Sequence, residues 1–277
     1  VLSQAGAKVV ALARRAAALK SLEDEAAGSV VALPADLSDR DGLADLARRA
    51  SEPFGAPDIV VHAAGINTRE VADDVTSEGW DVTINLNLAV PFFFSQALVP
   101  AMKEKGWGRI VNFASLQSHR AFPGGLSYGA SKGGVAQLTR AMAEAWSKDG
   151  IMVNAIGPGL IETPLNKAAR EGNPGMVAQV MQHPPLGRPG KPSDIVGPAI
   201  FLASDLSAYV TGGIVMADDK WHHISFAKRR ELNEDEEYQR AEVHSAQYES
   251  KLEGEHLLDA FEEHGDGITH CIQAIFP

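Results

Sequence analysis

Five short apolar runs mark the larger, N-terminal part of the chain, and none of them alternates with polar positions. They are Lys8-Val9-Val10-Ala11-Leu12, Val30-Val31-Ala32-Leu33, Asp58-Ile59-Val60-Val61, Arg109-Ile110-Val111-Asn112-Phe113 and Ile151-Met152-Val153-Asn154-Ala155-Ile156. Charged residues or Gly and Pro bound each run, as expected of buried strands. Between them lie Ala- and Leu-rich stretches with helical spacing, most clearly residues 80–105 and 128–148. Strands without polar alternation are covered on both faces, so the pattern predicts a parallel sheet in a doubly wound α/β fold. Ligands of such folds bind at the carboxyl ends of the strands.

This pattern holds through residues 1–219 and then changes. Lys228-Arg229-Arg230-Glu231 and Asn233-Glu234-Asp235-Glu236-Glu237 open a polar stretch rich in Glu and His. Residues 220–277 therefore read as a polar tail, largely helical or disordered, with a packing stripe of only Leu252, Leu257, Leu258 and Phe261. The last run, residues 268–276, reads as a strand. At 277 residues the chain has room for one main α/β domain.

A formal charge of -11 argues against nucleic acid or an anionic membrane as partner, because both require a basic surface. No apolar run reads as long enough to cross a bilayer. The single cysteine, Cys271, cannot close an internal disulfide, which suits a reducing cytoplasm. The tail histidines and Cys271 lack the paired spacing of a zinc site, so no metal is expected.

Tyr128-Gly129-Ala130-Ser131-Lys132 sets a phenol and an ammonium four residues apart, on one helix face. A phenol titrates near pH 10 and is a poor base at neutrality unless a positive charge favours its anion. Lys132 is placed to supply that charge, and Tyr128 to take or give the proton of a reacting hydroxyl. Thirteen residues earlier stands Ser115, at the end of the strand around Val111, where its hydroxyl can hold a developing alkoxide. Asn87, on the helix between, is placed to hold a water that links Lys132 to solvent.

Asn87, Ser115, Tyr128 and Lys132, in this order and spacing, resemble the catalytic tetrad of the short-chain dehydrogenase/reductases. Ala64-Gly65, Gly157-Pro158-Gly159 with Thr163, and Arg188-Pro189-Gly190 leading to Pro192-Ser193-Asp194 match flanking motifs. The resemblance runs from about Ala5 to Asp218. It implies a Rossmann-like fold and hydride transfer between NAD or NADP and a secondary alcohol or ketone. It also implies that Asp36 binds the adenine amino group, and that Ala64 and Gly65 line the adenosine ribose. Tyr128 and Lys132 would hold the nicotinamide ribose, with Pro158, Gly159 and Thr163 beside the nicotinamide. Where the family often has an acid after its second strand, Ala13 is followed by Arg14 and Arg15, which favours the 2′-phosphate of NADP.

Three departures stand out. The family's opening strand and its Thr-Gly-x-x-x-Gly-x-Gly loop have no counterpart in the chain, which opens at Val1 within what reads as the end of a helix. An N-terminally truncated body is expected, with weak pyrophosphate binding and unpaired ladder groups beside the Lys8 and Asp58 strands. The run 268–276 is one candidate to fill that vacancy. His62-Ala63 stands where the family has two asparagines, and Asp218-Asp219-Lys220-Trp221 replaces its Asp-Gly-Gly ending.

Within the family, Ala143-Glu144-Ala145-Trp146 and the strand after it resemble the branch acting on gluconate and related keto-sugar acids. Asn67, Arg69, Gln117, His119 and Arg120 are polar candidates for a hydroxylated, carboxylated substrate, with Ser115, Tyr128, Gln117 and Arg120 foremost. Residues 160–185 read as a substrate lid. A 3-oxoacyl thioester reductase is the alternative enzyme, and an inactive fragment or non-catalytic interaction protein the alternative class. The family's members are commonly tetramers or dimers, so a homo-oligomer is expected of an intact form.

Overall fold

The computed structural model describes residues 2–163, 186–219 and 270–274. Within these residues seven parallel strands form one sheet: β1 (Lys8–Ala13), β2 (Val30–Pro34), β3 (Ile59–His62), β4 (Gly108–Phe113), β5 (Ile151–Pro158), β6 (Ile214–Ala217) and β7 (His270–Ala274). Their spatial order is β2-β1-β7-β3-β4-β5-β6. The helices are α1 (Ala16–Glu25), α2 (Leu43–Ala50), α3 (Ser77–Ile84), α4 (Val90–Lys105), α5 (Leu126–Trp146) and α6 (Val196–Ala203).

Alternate residues of the central strands feed two cores. Val10, Leu12, Val60 and Ile110 pack with Leu43 and Leu46 of α2 and Phe94, Leu98 and Met102 of α4. Their neighbours Val9, Ala11, Ile59, Val61 and Val111 pack with Leu19 of α1 and Leu202 of α6. A strand whose two faces are both apolar has no polar positions to alternate, which is why these runs read as continuous.

The vacancy expected between β1 and β3 is filled. β7 runs parallel to both, with Val9 opposite Cys271 on one side and Ile59 opposite Cys271 on the other. The expected unpaired ladder groups are therefore absent over this register. Residues 220–269 lie outside the described part, as does nearly all of the expected lid.

The helix expected over residues 80–105 begins earlier and is not uniform. Thr76 caps α3, its hydroxyl accepting from the Gly79 amide at 3.0 Å. A π-helical turn at Asn85–Ala89 then separates α3 from α4. Such a widened turn has no signature in hydrophobic spacing, and it is associated with functional sites. Taken as one stretch, Ser77–Lys105 is long and apolar enough to cross a membrane, which corrects the reading that no run is. Its apolar side, including Phe94, Leu98 and Met102, is buried in the core. The apolar pattern does not announce β6 or α6. β6 has only four residues, and α6 is too uniformly apolar to show a helical stripe.

Candidate active site

The carboxyl end of β4, the start of α5 and the π turn converge on one place. After Phe113 the chain stays extended through Ser115, at φ -166° and ψ 165°, then turns into a short helix, Leu116–Ser118. The Ser115 hydroxyl accepts from the Gln117 amide at 3.1 Å and is hydrogen-bonded to the Tyr128 hydroxyl. The Ser118 hydroxyl donates to the Lys132 carbonyl at 2.6 Å, tying this turn to α5.

Lys132 is 5% exposed, and its ammonium donates to the Phe113 carbonyl at 2.6 Å while lying 5.6 Å from the Tyr128 ring centre. Burial pushes it down to about 8. An ammonium has three N–H groups, and Phe113 accepts one of them. Burial also raises the Tyr128 phenol above its ordinary value, opposed by the Ser115 hydrogen bond and by the positive charge of Arg69. Two positive charges thus lie near the phenol, that of Lys132, to which sequence spacing points, and that of Arg69, which it does not reveal.

Asn87, 1% exposed, is a bridge. Its carboxamide accepts from the Ile66 amide and donates to the Ile66 carbonyl, both at 2.9 Å, and donates to the Ser131 hydroxyl at 3.0 Å. Both of its amide hydrogens are used within the protein, so the side chain joins the loop after β3 to α5. Gly65 is needed beside it, because a Cβ there would lie 3.2 Å from the Asn87 Oδ1 and 3.8 Å from the Lys132 Nζ.

The remaining expected residues fall around this centre. Pro158 ends β5, and Gly159 follows with its Cα side against Asp218, where a Cβ would approach the Asp218 Cα to 2.7 Å. Ala64 is half-buried at the end of β3 and Thr163 half-buried beyond Gly159. Gln117 and Arg120 are half-buried on the loop after Ser115, and Arg120 lies within electrostatic reach of Asp218. His119 is exposed. Arg14 and Arg15 are both exposed at the end of β1, with Arg14 close enough to Asp36 to favour its ionised form. The chief cause of Asp36's lowered value is Ser38, whose hydroxyl and amide donate to it at 2.7 and 2.9 Å.

Arg69 gains weight from the structure. It adopts φ +58°, a left-handed conformation uncommon for a residue with a Cβ. Its amide donates to the Asn67 Oδ1 at 3.0 Å, a local bond that suits such a turn. In the sequence it is one polar residue among several, since nothing in its spacing reveals a bend that returns it to Tyr128. Among the described residues, no group of three His, Cys, Asp or Glu is placed to hold a metal.

A parallel doubly wound sheet with a Ser-Tyr-Lys cluster at the carboxyl ends of its strands defines a nucleotide-dependent oxidoreductase site. A family model described as enoyl-(acyl carrier protein) reductase matches residues 1–221. The 2-dehydro-3-deoxy-D-gluconate 5-dehydrogenase of Escherichia coli (strain K12) is 42% identical over 195 residues, 69% of this chain and 76% of that protein. The gluconate 5-dehydrogenase of Gluconobacter oxydans (strain 621H) is 33% identical over 220 residues, 78% of this chain and 86% of that protein. Among solved structures, a gluconate 5-dehydrogenase from Burkholderia cenocepacia J2315 in complex with NADP and tartrate superposes with a TM-score of 0.76. It is 31% identical and covers 81% of this chain and 89% of its own. The chain belongs to the short-chain dehydrogenase/reductase family.

Proposed function

We propose that this chain is an NADP-dependent dehydrogenase of sugar acids, interconverting a secondary alcohol and a ketone on a substrate such as gluconate or a 2-dehydro-3-deoxy relative. The observation that carries this reading is the Tyr128 hydroxyl, hydrogen-bonded to Ser115 and under the charge of Arg69, at the carboxyl ends of the central strands. The names of the relatives and the NADP and tartrate of the Burkholderia structure support the substrate and cofactor classes.

The residues present fit the ribose end of the cofactor. The buried Lys132 ammonium has N–H groups beyond the one given to Phe113, suited to ribose hydroxyls, and Gly65 lies beside it, where a Cβ would stand 3.8 Å from the Nζ. Asp36, Ala64 and Gly65 would hold the adenosine side, Arg14 and Arg15 the 2′-phosphate, and Pro158, Gly159 and Thr163 the nicotinamide side. The sequence holds no Thr-Gly-x-x-x-Gly-x-Gly run for the pyrophosphate. When bound, the nicotinamide supplies the acceptor or donor of a hydride.

The protein's own part is proton handling and positioning. Ser115 holds the substrate oxygen, and Tyr128 takes its proton in alcohol oxidation or returns it in ketone reduction. Lys132 positions the cofactor and carries charge into the site below about pH 8. Asn87 fixes the loop after β3, and with it Arg69, relative to α5. Arg69, Gln117 and Arg120 are the candidates for the substrate's carboxylate and hydroxyls.

Turnover with NADP and gluconate or 2-dehydro-3-deoxy-D-gluconate, set against acetoacetyl thioester reduction, tests the reading directly. Faster thioester reduction would favour the acyl-thioester alternative, against which the formal charge of -11 weighs, since an acidic carrier needs a basic surface. Failure to bind NADPH in a calorimetric titration would leave the non-catalytic alternative. Arg69→Gln is expected to raise KM for the acid about tenfold to a hundredfold, the scale of a charge-assisted hydrogen bond. A neutral polyol should be affected far less, and equal effects on both would remove Arg69 from the carboxylate site. We also infer a cytoplasmic homo-oligomer, a tetramer or dimer. The partly exposed Trp80, Val82 and Phe93 on α3 and α4 support the assembly.

A further inference from the structure

Among the described residues, β1 and β3 are both sheet neighbours of β7 and not of each other. Five residue pairs link β1 to β7, four link β3 to β7, and no register joins β1 to β3 directly. The sheet thus consists of two halves, β2-β1 and β3-β4-β5-β6, with a slot between them one strand wide. Both walls of the slot are built to be interior. Val9, Val10, Ala11 and Leu12 are buried on one side, and Ile59, Val60, Val61 and His62 on the other.

The strand in the slot comes from far along the chain. Residues 218–269 separate β6 from β7, whereas each other strand follows its predecessor through the helices that cover the sheet. The run 268–277, Ile-Thr-His-Cys-Ile-Gln-Ala-Ile-Phe-Pro, contains no Asp, Glu, Lys or Arg, although the stretch before it is strongly charged. An uncharged run rich in β-branched and apolar residues suits a central parallel strand and little else in this part of the chain.

We propose that the slot between β1 and β3 is a strand-binding site, that His270–Ala274 is its built-in ligand, and that docking of this strand completes the cofactor site. The candidate adenosine-side residues Arg14 and Arg15 follow β1, whereas Ala64, Gly65, Ser115 and Tyr128 belong to the β3 and β4 side. A dinucleotide spans both sides, so its binding and the docking of β7 stabilise each other by linkage. This rests on the dinucleotide part of the function proposed above, and not on the sugar-acid part.

The test uses the full chain carrying Ile272→Pro, which removes a ladder N–H at the centre of β7, together with a synthetic peptide of residues 267–277. By hydrogen exchange without nucleotide, the variant is expected to lose protection at the alternate β1 and β3 amides that face β7, while the Val9 amide, which donates to the Ser29 carbonyl on the β2 side, keeps its protection, and its NADPH affinity is expected to fall at least tenfold. Peptide at about millimolar concentration, the effective concentration of a tethered segment, should restore both, and a scrambled peptide neither. Full protection in the variant, or no restoration by the peptide in a variant whose circular dichroism remains native, overturns the proposal. Should the variant fail to fold, the unmodified chain decides. Exchange at residues 270–274 should slow as NADPH saturates, and unchanged exchange at saturation overturns the coupling. Protection is read without nucleotide, so failure to bind NADPH at all is seen separately from failure of the strand to dock.

Discussion

Replacing Tyr128 with Phe should lower kcat for sugar-acid oxidation by about 10²–10⁴-fold, the range that general acid–base catalysis supplies. NADPH affinity should change by no more than about tenfold, because at most one hydrogen bond to the nicotinamide ribose is lost. The direction of the pH dependence follows from the surroundings of the phenol. Burial holds it above its ordinary value, so it is protonated over most of the physiological range. Alcohol oxidation, which needs the phenolate, should therefore rise with pH, and ketone reduction, which needs the phenol, should fall. The Ser115 bond and the Arg69 charge act against burial. Ser115→Ala and Arg69→Gln should each displace the rise of oxidation to higher pH. Steady-state rates across pH 6–10, with calorimetry for the nucleotide, separate these effects. A Tyr128→Phe enzyme with near-normal kcat would remove Tyr128 from the proton path.

Much of this site is legible in the amino-acid sequence, because its chemistry depends on residue type at fixed spacing. Tyr128 and Lys132 are four apart on α5, which requires no tertiary information to place them on one face. Ser115 ends a strand whose apolar run announces itself. The hydrogen-bonding of the site is not legible there. Lys132 is paired with the Phe113 carbonyl, and Asn87 is spent on Ile66 and Ser131. Both outcomes depend on backbone groups brought together by the π turn and by the loop after β3, for which hydrophobic periodicity carries no signal. Arg69 is the clearest case, since it comes within electrostatic reach of Tyr128 from a backbone bend at positive φ. The slot between β1 and β3 is visible in the sequence as a topological need, and the run 268–276 as a candidate for it, because its composition fits a buried strand. Its register with both neighbours, Cys271 between Val9 and Ile59, belongs to the folded sheet.

His62 is expected to make stability dependent on acid. It stands in β3 where the family has an asparagine. It is 6% exposed, its Nε2 is 2.7 Å from the Ser95 hydroxyl, and its ring meets Phe94 edge-on. Burial pushes its value down from 6.5 to about 3. Between these two values the unfolded chain binds a proton on this residue and the folded chain does not. Stability due to neutral His62 is thus fully present above pH 6.5, and it is lost progressively as pH falls toward 3. The whole window corresponds to roughly 4–5 kcal/mol at about 1.36 kcal/mol per unit, and about 2 kcal/mol of it is lost by pH 5. That is a large share of a typical domain's stability of about 5–15 kcal/mol. Urea unfolding midpoints measured from pH 7.5 to 5 should fall steeply in the native chain. The His62→Asn variant keeps a polar partner for Ser95 without a titrating ring, so its midpoints should fall much less over the same range. Equal slopes in the two proteins would mean that the protons taken up on acid unfolding bind elsewhere and that His62 is not the acid-sensitive group of the core.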